Sequence, residues 1–211
     1  MKHYTFGTYV KKYSKEIIIV VVCALVGGAL MGYSAKKRKV TTYTANRDVV
    51  ISHNIERYQA NNENGTNSVV NNDINMMPTY KDIVENDIIA KQARKNLPKK
   101  LRAKYSTSDI QDVVSAKVSQ QSLVMDVKVE TKSPKDSVQI VNAVSQSFKQ
   151  QLPKLQPGSG QVTLLARANK NNVNSTTKPS AKKYAIVGLA LGGLLGLIIS
   201  LVIATVRTFG K

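Results

Sequence analysis

Few residues in this chain could transfer protons or bind a metal. Only two histidines, His3 and His53, and one cysteine, Cys23, occur among its 211 residues. A zinc site needs three or four His, Cys or carboxylate ligands, and a catalytic triad needs a histidine beside a nucleophile and an acid. Because His3 lies in the N-terminal tail, neither arrangement has its parts. We therefore expect no catalytic residue, no metal site and no cofactor, and we expect that the protein is not an enzyme.

Two pairs of carboxylates could in principle act as an acid and a base. Asp82 and Glu85 fall in an exposed turn of a predicted helix, and Asp126 and Glu130 fall on the solvent side of a predicted strand. Nine of the 12 glycines lie in the apolar segments or in an ordinary turn at residues 156–161, and the other three are isolated, so the sequence predicts no phosphate-binding loop. These features predict structural rather than catalytic roles.

Positive charge is the most prominent chemical property of the chain. The formal net charge is +18, and residues 34–183 carry 25 Lys and Arg against 12 Asp and Glu. Such a surface attracts polyanions, but only Tyr105 is close enough to the basic run to stack on a base, which argues against nucleic acid. We expect contact with an acidic glycan or an anionic lipid, or else an ordinary solvated face. The densest basic run consists of Lys91, Arg94, Lys95, Lys99, Lys100, Arg102 and Lys104.

Two uncharged apolar segments lie near the ends of the chain, at residues 17–33 and 184–206. The second would form a helix of about 34 Å, and the first one of about 26 Å, at the short end of the range for a membrane span. The first segment also follows four lysines, as a signal peptide does, but no clear cleavage site follows it. We predict two transmembrane helices, with tails at residues 1–16 and 207–211.

Glycines recur at four-residue steps in both apolar segments. Gly28 and Gly32 are so spaced in the first, and Gly188, Gly192 and Gly196 in the second. This spacing strips side chains from one face of a helix and lets another backbone approach closely. It predicts that the transmembrane helices pack through these glycines, although glycine is also common in membrane helices generally.

The 150 residues between the apolar segments predict an α+β domain, residues 34–183. Leu123, Met125, Val127 and Val129 alternate with polar residues, as in a half-buried strand. Ser133 and Pro134 are typical of a helix start, and the apolar positions that follow recur at helical spacing. The predicted elements are a strand at 39–47, an asparagine-rich loop at 61–75, helices at 79–97, 108–115 and 134–152, strands at 123–130 and 162–168, and a polar linker at 169–183.

The segment Val127-Lys128-Val129-x3-Ser133-Pro134-x2-Ser137-x2-Ile140-Val141-Asn142 resembles a motif of the Wzz-like chain-length determinants, also called polysaccharide co-polymerases. That family has a strand followed by a helix beginning Asp-Pro-x-x-Ala-x-x-Ile-Ala-Asn. Pro134, Ile140 and Asn142 match it, whereas Ser133 and Ser137 replace Asp and Ala. The chain resembles the short Gram-positive type. In physical terms Pro134 starts the helix, and Asn142 either bonds to a neighbouring element or lies at the surface.

The resemblance implies a non-enzymatic plasma-membrane protein with both termini cytoplasmic and an extracytoplasmic domain between two transmembrane helices. It implies a homo-oligomer that works with a polysaccharide polymerase and flippase and regulates chain length or export of a capsular polysaccharide or exopolysaccharide. Charge counting alone does not orient the chain, because the positive-inside rule weakens for loops beyond about 60 residues. Two alternatives are an adaptor that activates a separate cytoplasmic tyrosine kinase and a sensor with a small-molecule pocket.

Overall fold

The computed structural model describes residues 14–54 and 63–209. It contains helices and a five-stranded sheet, and the chain divides into two compact units, one formed by both ends of the chain and the other by residues 41–176. In chain order the elements are α1 (Ser14–Lys37), β1 (Val40–Ser52), α2 (Glu63–Val84), α3 (Asp87–Asn96), α4 (Lys99–Lys104), α5 (Thr107–Val113), β2 (Val114–Val118), β3 (Val124–Thr131), α6 (Pro134–Leu155), β4 (Gln161–Leu164), a short 3-10 helix (Lys170–Asn172), β5 (Asn174–Lys178) and α7 (Ala181–Phe209).

The first unit consists mainly of α1 and α7, which pack against each other. The two helices have 24 and 29 residues, so they extend about 36 and 43 Å, against about 30 Å for the hydrocarbon core of a bilayer. Both are long and apolar enough to cross a membrane. Each contains the corresponding predicted segment and extends beyond it in both directions.

In the second unit, helices pack on a sheet whose four main strands are paired antiparallel. The strand order is β2-β3-β1-β4, with β5 also paired to β1. Helix α6 packs on β3 and β4, and α3 packs on α6. The inward row of β3, formed by Met125, Val127 and Val129, is fully buried, as the alternating pattern predicts. Residues 41–176 therefore form a region of mixed helix and sheet, which lies between the two apolar helices in the sequence.

The asparagine-rich stretch at residues 61–75 is wrongly predicted as a loop from position 63 onward, because α2 begins there and runs through Pro78 to Val84. Residues 61 and 62 lie outside the described part. Asp73, Met77, Tyr80 and Val84 are all buried at helical spacing. Tertiary burial of this stripe outweighs the poor helix propensity of asparagine.

Other boundaries also differ from the predictions. The predicted helix at 79–97 is divided, because the side chain of Asn86 accepts a hydrogen bond from the Ile88 amide and caps α3. Pro98 precedes the unpredicted helix α4. The predicted helix at 108–115 ends early, where β-branched residues pair with β3 to form β2. The predicted linker at 169–183 contains the 3-10 helix, β5 and the start of α7, and the last predicted strand ends at Leu164 rather than residue 168.

Candidate functional site

The family-like motif forms the start of α6 and the first part of its buried face. The Ser133 side chain caps the helix by accepting a hydrogen bond from the Asp136 amide, and Pro134 occupies the first turn. Ile140 is fully buried in the core and Asn142 is 8% exposed. Surface exposure of Asn142 is therefore the wrong alternative, and its amide must find its partners inside the protein.

Asn142 joins α6 to the segment that follows β4. Its side-chain nitrogen donates to the carbonyls of Val138 and Ala168 at 2.8 and 3.0 Å, and its oxygen accepts from the Ala168 amide at 3.1 Å. The oxygen also accepts from the guanidinium of Arg47 at 3.3 Å. One buried side chain thus fixes the backbone at residue 168 and the orientation of an arginine on β1.

Arg47 is the one charged residue in the core-facing row of β1. Its row-mates Ala45, Val49 and Ile51 are buried, and its cross-strand partner Val127 is fully buried. Its Nε and Nη2 atoms both donate to the carbonyl of Leu165, at 3.3 and 3.2 Å. A strand that breaks its apolar pattern with a cation suggests a functional position.

A cleft of about 770 Å³ opens beside this arginine. Its floor is the face of α6 that carries Gln139, Asn142, Gln146 and Gln150, and the turn between α3 and α4 forms another wall. Its second cation is Arg167. Every lining residue is a cation, an amide or apolar, and among the described residues no carboxylate faces the cleft. The arrangement can bind a polar anion.

The two arginines interact electrostatically. Burial lowers the pKa of Arg47, and the positive charge of Arg167 lowers it further. The Arg47 side chain nevertheless stays charged at neutral pH, because its ordinary pKa lies far above neutrality. Like charges brought together without a counter-ion favour the entry of an anion.

The residues of the predicted basic run differ in their burial and in their partners. Arg94 donates to the carbonyls of Tyr105 and Arg102, so it holds α3 to the end of α4. Lys104 pairs with Asp136 on α6. Lys91, Lys95, Lys99 and Lys100 are exposed and Arg102 is half-buried. Contact of the basic run with a polyanion stays a prediction.

The predicted glycines lie where α1 and α7 approach each other. A Cβ atom on Gly192 would collide with the Cys23 carbonyl oxygen, and one on Gly196 would lie 2.8 Å from the Val20 Cα. Gly188 is equally tight, whereas Gly28 and Gly32 face side chains of Leu189 and Ala185. Sequence spacing missed Gly27, where a Cβ would lie 2.5 Å from the Gly188 oxygen. The sequence feature that could have indicated Gly27 is its position directly before Gly28.

The acidic residues considered for catalysis have structural partners. Glu85 accepts hydrogen bonds from the Lys81 side chain and the Ala116 amide, both at 2.7 Å. Asp126 forms an ion pair with Lys128 at 2.9 Å. Within residues 14–54 and 63–209, no three His, Cys, Asp or Glu side chains form a group that could hold a metal ion.

Comparison with known proteins identifies distant relatives that are all named as capsular polysaccharide biosynthesis proteins. No protein-family model matches the chain. It is 25% identical over 170 residues to the capsular polysaccharide biosynthesis protein CapA of Staphylococcus aureus, covering 81% of this chain and 71% of the relative. It is also 23% identical over 192 residues to the capsular polysaccharide type 8 biosynthesis protein cap8A of S. aureus and to the type 5 protein cap5A of strain Newman, covering 91% of this chain and 78% of each relative.

Proposed function

We propose that this chain is a membrane protein of capsular polysaccharide biosynthesis. The observation that carries the proposal is its similarity, over 81–91% of its length, to three staphylococcal capsule biosynthesis proteins. The matched region is too long to be the apolar helices alone, so it includes most of the domain at residues 41–176. The finer role is regulation of chain length or export, as the resemblance to chain-length determinants implies.

In this proposal α1 and α7 cross the plasma membrane and the domain at residues 41–176 is extracytoplasmic. Both helices have the length and composition for crossing. Two crossings return the chain to the side on which it began, so both termini lie together in the cytoplasm. The domain then meets the polymer on the outer side of the membrane.

The proposed role is non-catalytic. The cleft beside Arg47 is lined by guanidinium groups, amides and apolar atoms, and neither guanidinium nor amide groups exchange protons near neutral pH. They can hold a ligand by hydrogen bonds and charge. The protein would act by gathering copies of itself, the polymerase and flippase, and the growing glycan.

Deletion of the gene tests the proposal. We expect a changed amount or length distribution of capsular polysaccharide on gel electrophoresis, with restoration by the intact gene. A complementing gene truncated before α7 provides a matched control, because it keeps the domain and removes the second membrane crossing. An unaltered polymer in the deletion strain would exclude the proposed function.

Orientation is tested by labelling single cysteines in a Cys23→Ser background. Ser119→Cys lies in the exposed turn between β2 and β3, and Lys15→Cys lies at the exposed start of α1. A membrane-impermeant maleimide should label Ser119→Cys in intact cells and Lys15→Cys only after permeabilisation. The opposite pattern would place the domain in the cytoplasm.

The kinase-adaptor alternative makes a different prediction. Removal of residues 207–211 or 1–15 should then abolish phosphorylation of the partner kinase while the membrane-anchored domain is still produced. If polymer length changes in these deletions without any change in kinase phosphorylation, chain-length regulation is favoured over kinase activation.

A further inference from the structure

We propose that the cleft between α6, the α3–α4 turn and Arg47 binds an acidic saccharide. Arg47 and Arg167 would hold its carboxylate, and the amides of α6 would hold its hydroxyl groups. Recognition of an anion follows from the two arginines alone. The saccharide part rests additionally on the proposed role in capsule biosynthesis.

Arg47 is prepared for binding before any ligand arrives. Three of its five N–H groups are used, two by the Leu165 carbonyl and one by Asn142. These bonds fix the guanidinium plane, so little side-chain entropy is lost when a ligand binds. The remaining two N–H groups are donors that a carboxylate can accept.

Arg167 supplies the second charge without an internal role. Its side chain is exposed and makes no hydrogen bond or ion pair with any residue in the described part of the chain, and its charge acts on Arg47. No carboxylate lines this cleft within residues 14–54 and 63–209. A bound carboxylate would relieve the repulsion between the two cations.

The rest of the cleft suits a polyhydroxylated molecule. Gln139, Gln146 and Gln150 are exposed along one face of α6, and each amide offers both a donor and an acceptor to hydroxyl groups. The Asn96 nitrogen is engaged by Ser147 at 3.0 Å, which leaves its oxygen as an acceptor. The volume of about 770 Å³ lies within the range of about 300–1,000 Å³ typical of small-molecule sites.

The site connects two features that the sequence presents separately. Asn142 belongs to the motif of α6, and the wall formed by Asn96, Leu97 and Pro98 lies between the lysines of the basic run. Lys95 and Lys99, which flank this wall in sequence, are exposed. A polymer with repeated carboxylates that occupied the cleft would continue past additional cations.

The test measures binding of a galacturonate hexamer to the full chain in detergent micelles by isothermal titration calorimetry. Its methyl ester is the matched ligand, since it keeps the sugar rings and removes the charges. Arg167→Gln removes the unpaired cation, and Lys149→Gln is the matched control, an exposed residue of α6 that does not line the cleft. Circular dichroism verifies that both variants are folded.

We expect the galacturonate hexamer to bind and its methyl ester to bind at least about tenfold more weakly, because charge-assisted hydrogen bonds are lost. Arg167→Gln should weaken binding about tenfold or more and Lys149→Gln less than about twofold. Gln146→Ala should give a smaller loss than Arg167→Gln, because it removes a neutral partner.

Several outcomes would overturn the assignment. Equal binding of the acid and its ester, or equal losses in Arg167→Gln and Lys149→Gln, would contradict a carboxylate site in the cleft. Equal binding of a glutamate hexamer would contradict saccharide recognition, and equally strong competition by inorganic phosphate would assign the site to phosphate. No binding of galacturonate together with an altered capsule in the gene deletion would reject the site and keep the proposed function.

Discussion

In the helix pair of α1 and α7, close packing depends on the absence of side chains, whereas the domain at residues 41–176 depends on polar side chains that are buried with partners. Glycine lets backbone atoms of α1 and α7 meet. In the domain, Asn142 and Asp73 are polar yet nearly inaccessible to solvent. The difference follows from what each unit can use, since helices in an apolar environment gain little from burying more apolar surface.

The two strategies fail in different ways. An added methyl group between helix backbones has no room to occupy, so the helices must separate. A buried polar group that loses its hydrogen-bond partner still carries the free-energy cost of desolvation, and no hydrogen bond offsets that cost. Substitutions in each unit should therefore have distinct signatures, and we expect each to leave the other unit unchanged.

The largest expected effect is the loss of the His53–Asp73 pair in the domain. Asp73 is 2% exposed and accepts hydrogen bonds from the His53 amide at 2.9 Å, while its other oxygen contacts His53 Nδ1 at 2.7 Å. His53→Ala leaves a buried carboxylate short of partners and should lower the free energy of unfolding by about 2–4 kcal/mol. Urea unfolding of the full chain in micelles, followed by circular dichroism, measures this.

The control for this pair is a double-mutant cycle with Asp73→Asn. If the two side chains act together, the double variant should lose less stability than the sum of the single variants. Additive losses would show that the contact between them contributes nothing.

In the helix pair, the sharpest comparison is between two adjacent glycines. A Cβ at Gly192 would meet the Cys23 carbonyl oxygen and lie 3.0 Å from the Ala24 Cα, whereas at Gly193 the nearest atom is the Ala24 Cβ at 3.8 Å. Gly192→Ala should destabilise the pair by about 1–3 kcal/mol. Gly193→Ala should be neutral or stabilising by up to about 1 kcal/mol, because alanine is the better helix former.

Cys23 reports the outcome directly, since it is the only cysteine and an added Cβ at either Gly192 or Gly196 would meet one of its atoms. A thiol-reactive fluorescent maleimide should label Gly192→Ala faster, or at a lower temperature, than the wild-type chain. The rate in Gly193→Ala should match the wild type. Equal acceleration in both variants would show that the close backbone approach at Gly192 does not determine how the helices pack.

The next effect concerns the start of α6. Ser133→Ala removes the N-cap acceptor and should cost about 1 kcal/mol. Ser133→Asp, which is the residue usual in the resembled motif, should retain the cap and the stability. The measurement is again urea unfolding, and equal losses in both variants would show that the cap is not the reason for serine at this position.

Sequence patterns that extend over only a few neighbouring residues predicted several helices and strands correctly. The alternation at Met125, Val127 and Val129, the Ser133-Pro134 helix start and both apolar helices are local signals, and the structure has elements at each. The prediction of a loop for the asparagine-rich half of α2 was wrong, because this part of the helix is supported by burial of Asp73. The partner of Asp73, His53, lies 20 residues earlier in the chain. No periodicity reveals such a partner.

The cleft shows the same limit. Asn142 was visible in the motif, but its bonds to Ala168 and Arg47 span 26 and 95 positions. In the sequence, Arg47 is recognisable only because it stands in an alternating row with the apolar residues Ala45, Val49 and Ile51. The predicted first strand ended at residue 47, so it did not include the second half of this row. A cation inside an alternating apolar row is the signal that identifies such a residue from sequence.

The smallest expected effect lies on the outward face of the sheet, where Asp48 stands directly opposite Asp126. Burial raises the pKa of Asp48, the charge of Asp126 raises it further, and Lys128 partly offsets both. A carboxyl group whose pKa is raised on folding destabilises the folded state when ionised.

Asp48→Asn should therefore stabilise the domain by a few tenths of a kcal/mol, as expected for like charges across a strand pair. The gain should be full above the raised pKa and vanish as pH falls below the ordinary aspartate value, because the wild-type carboxyl is then neutral in both states. Urea titrations of both chains at a series of pH values measure it, and a gain that persists in acid would assign the effect to side-chain packing instead of charge.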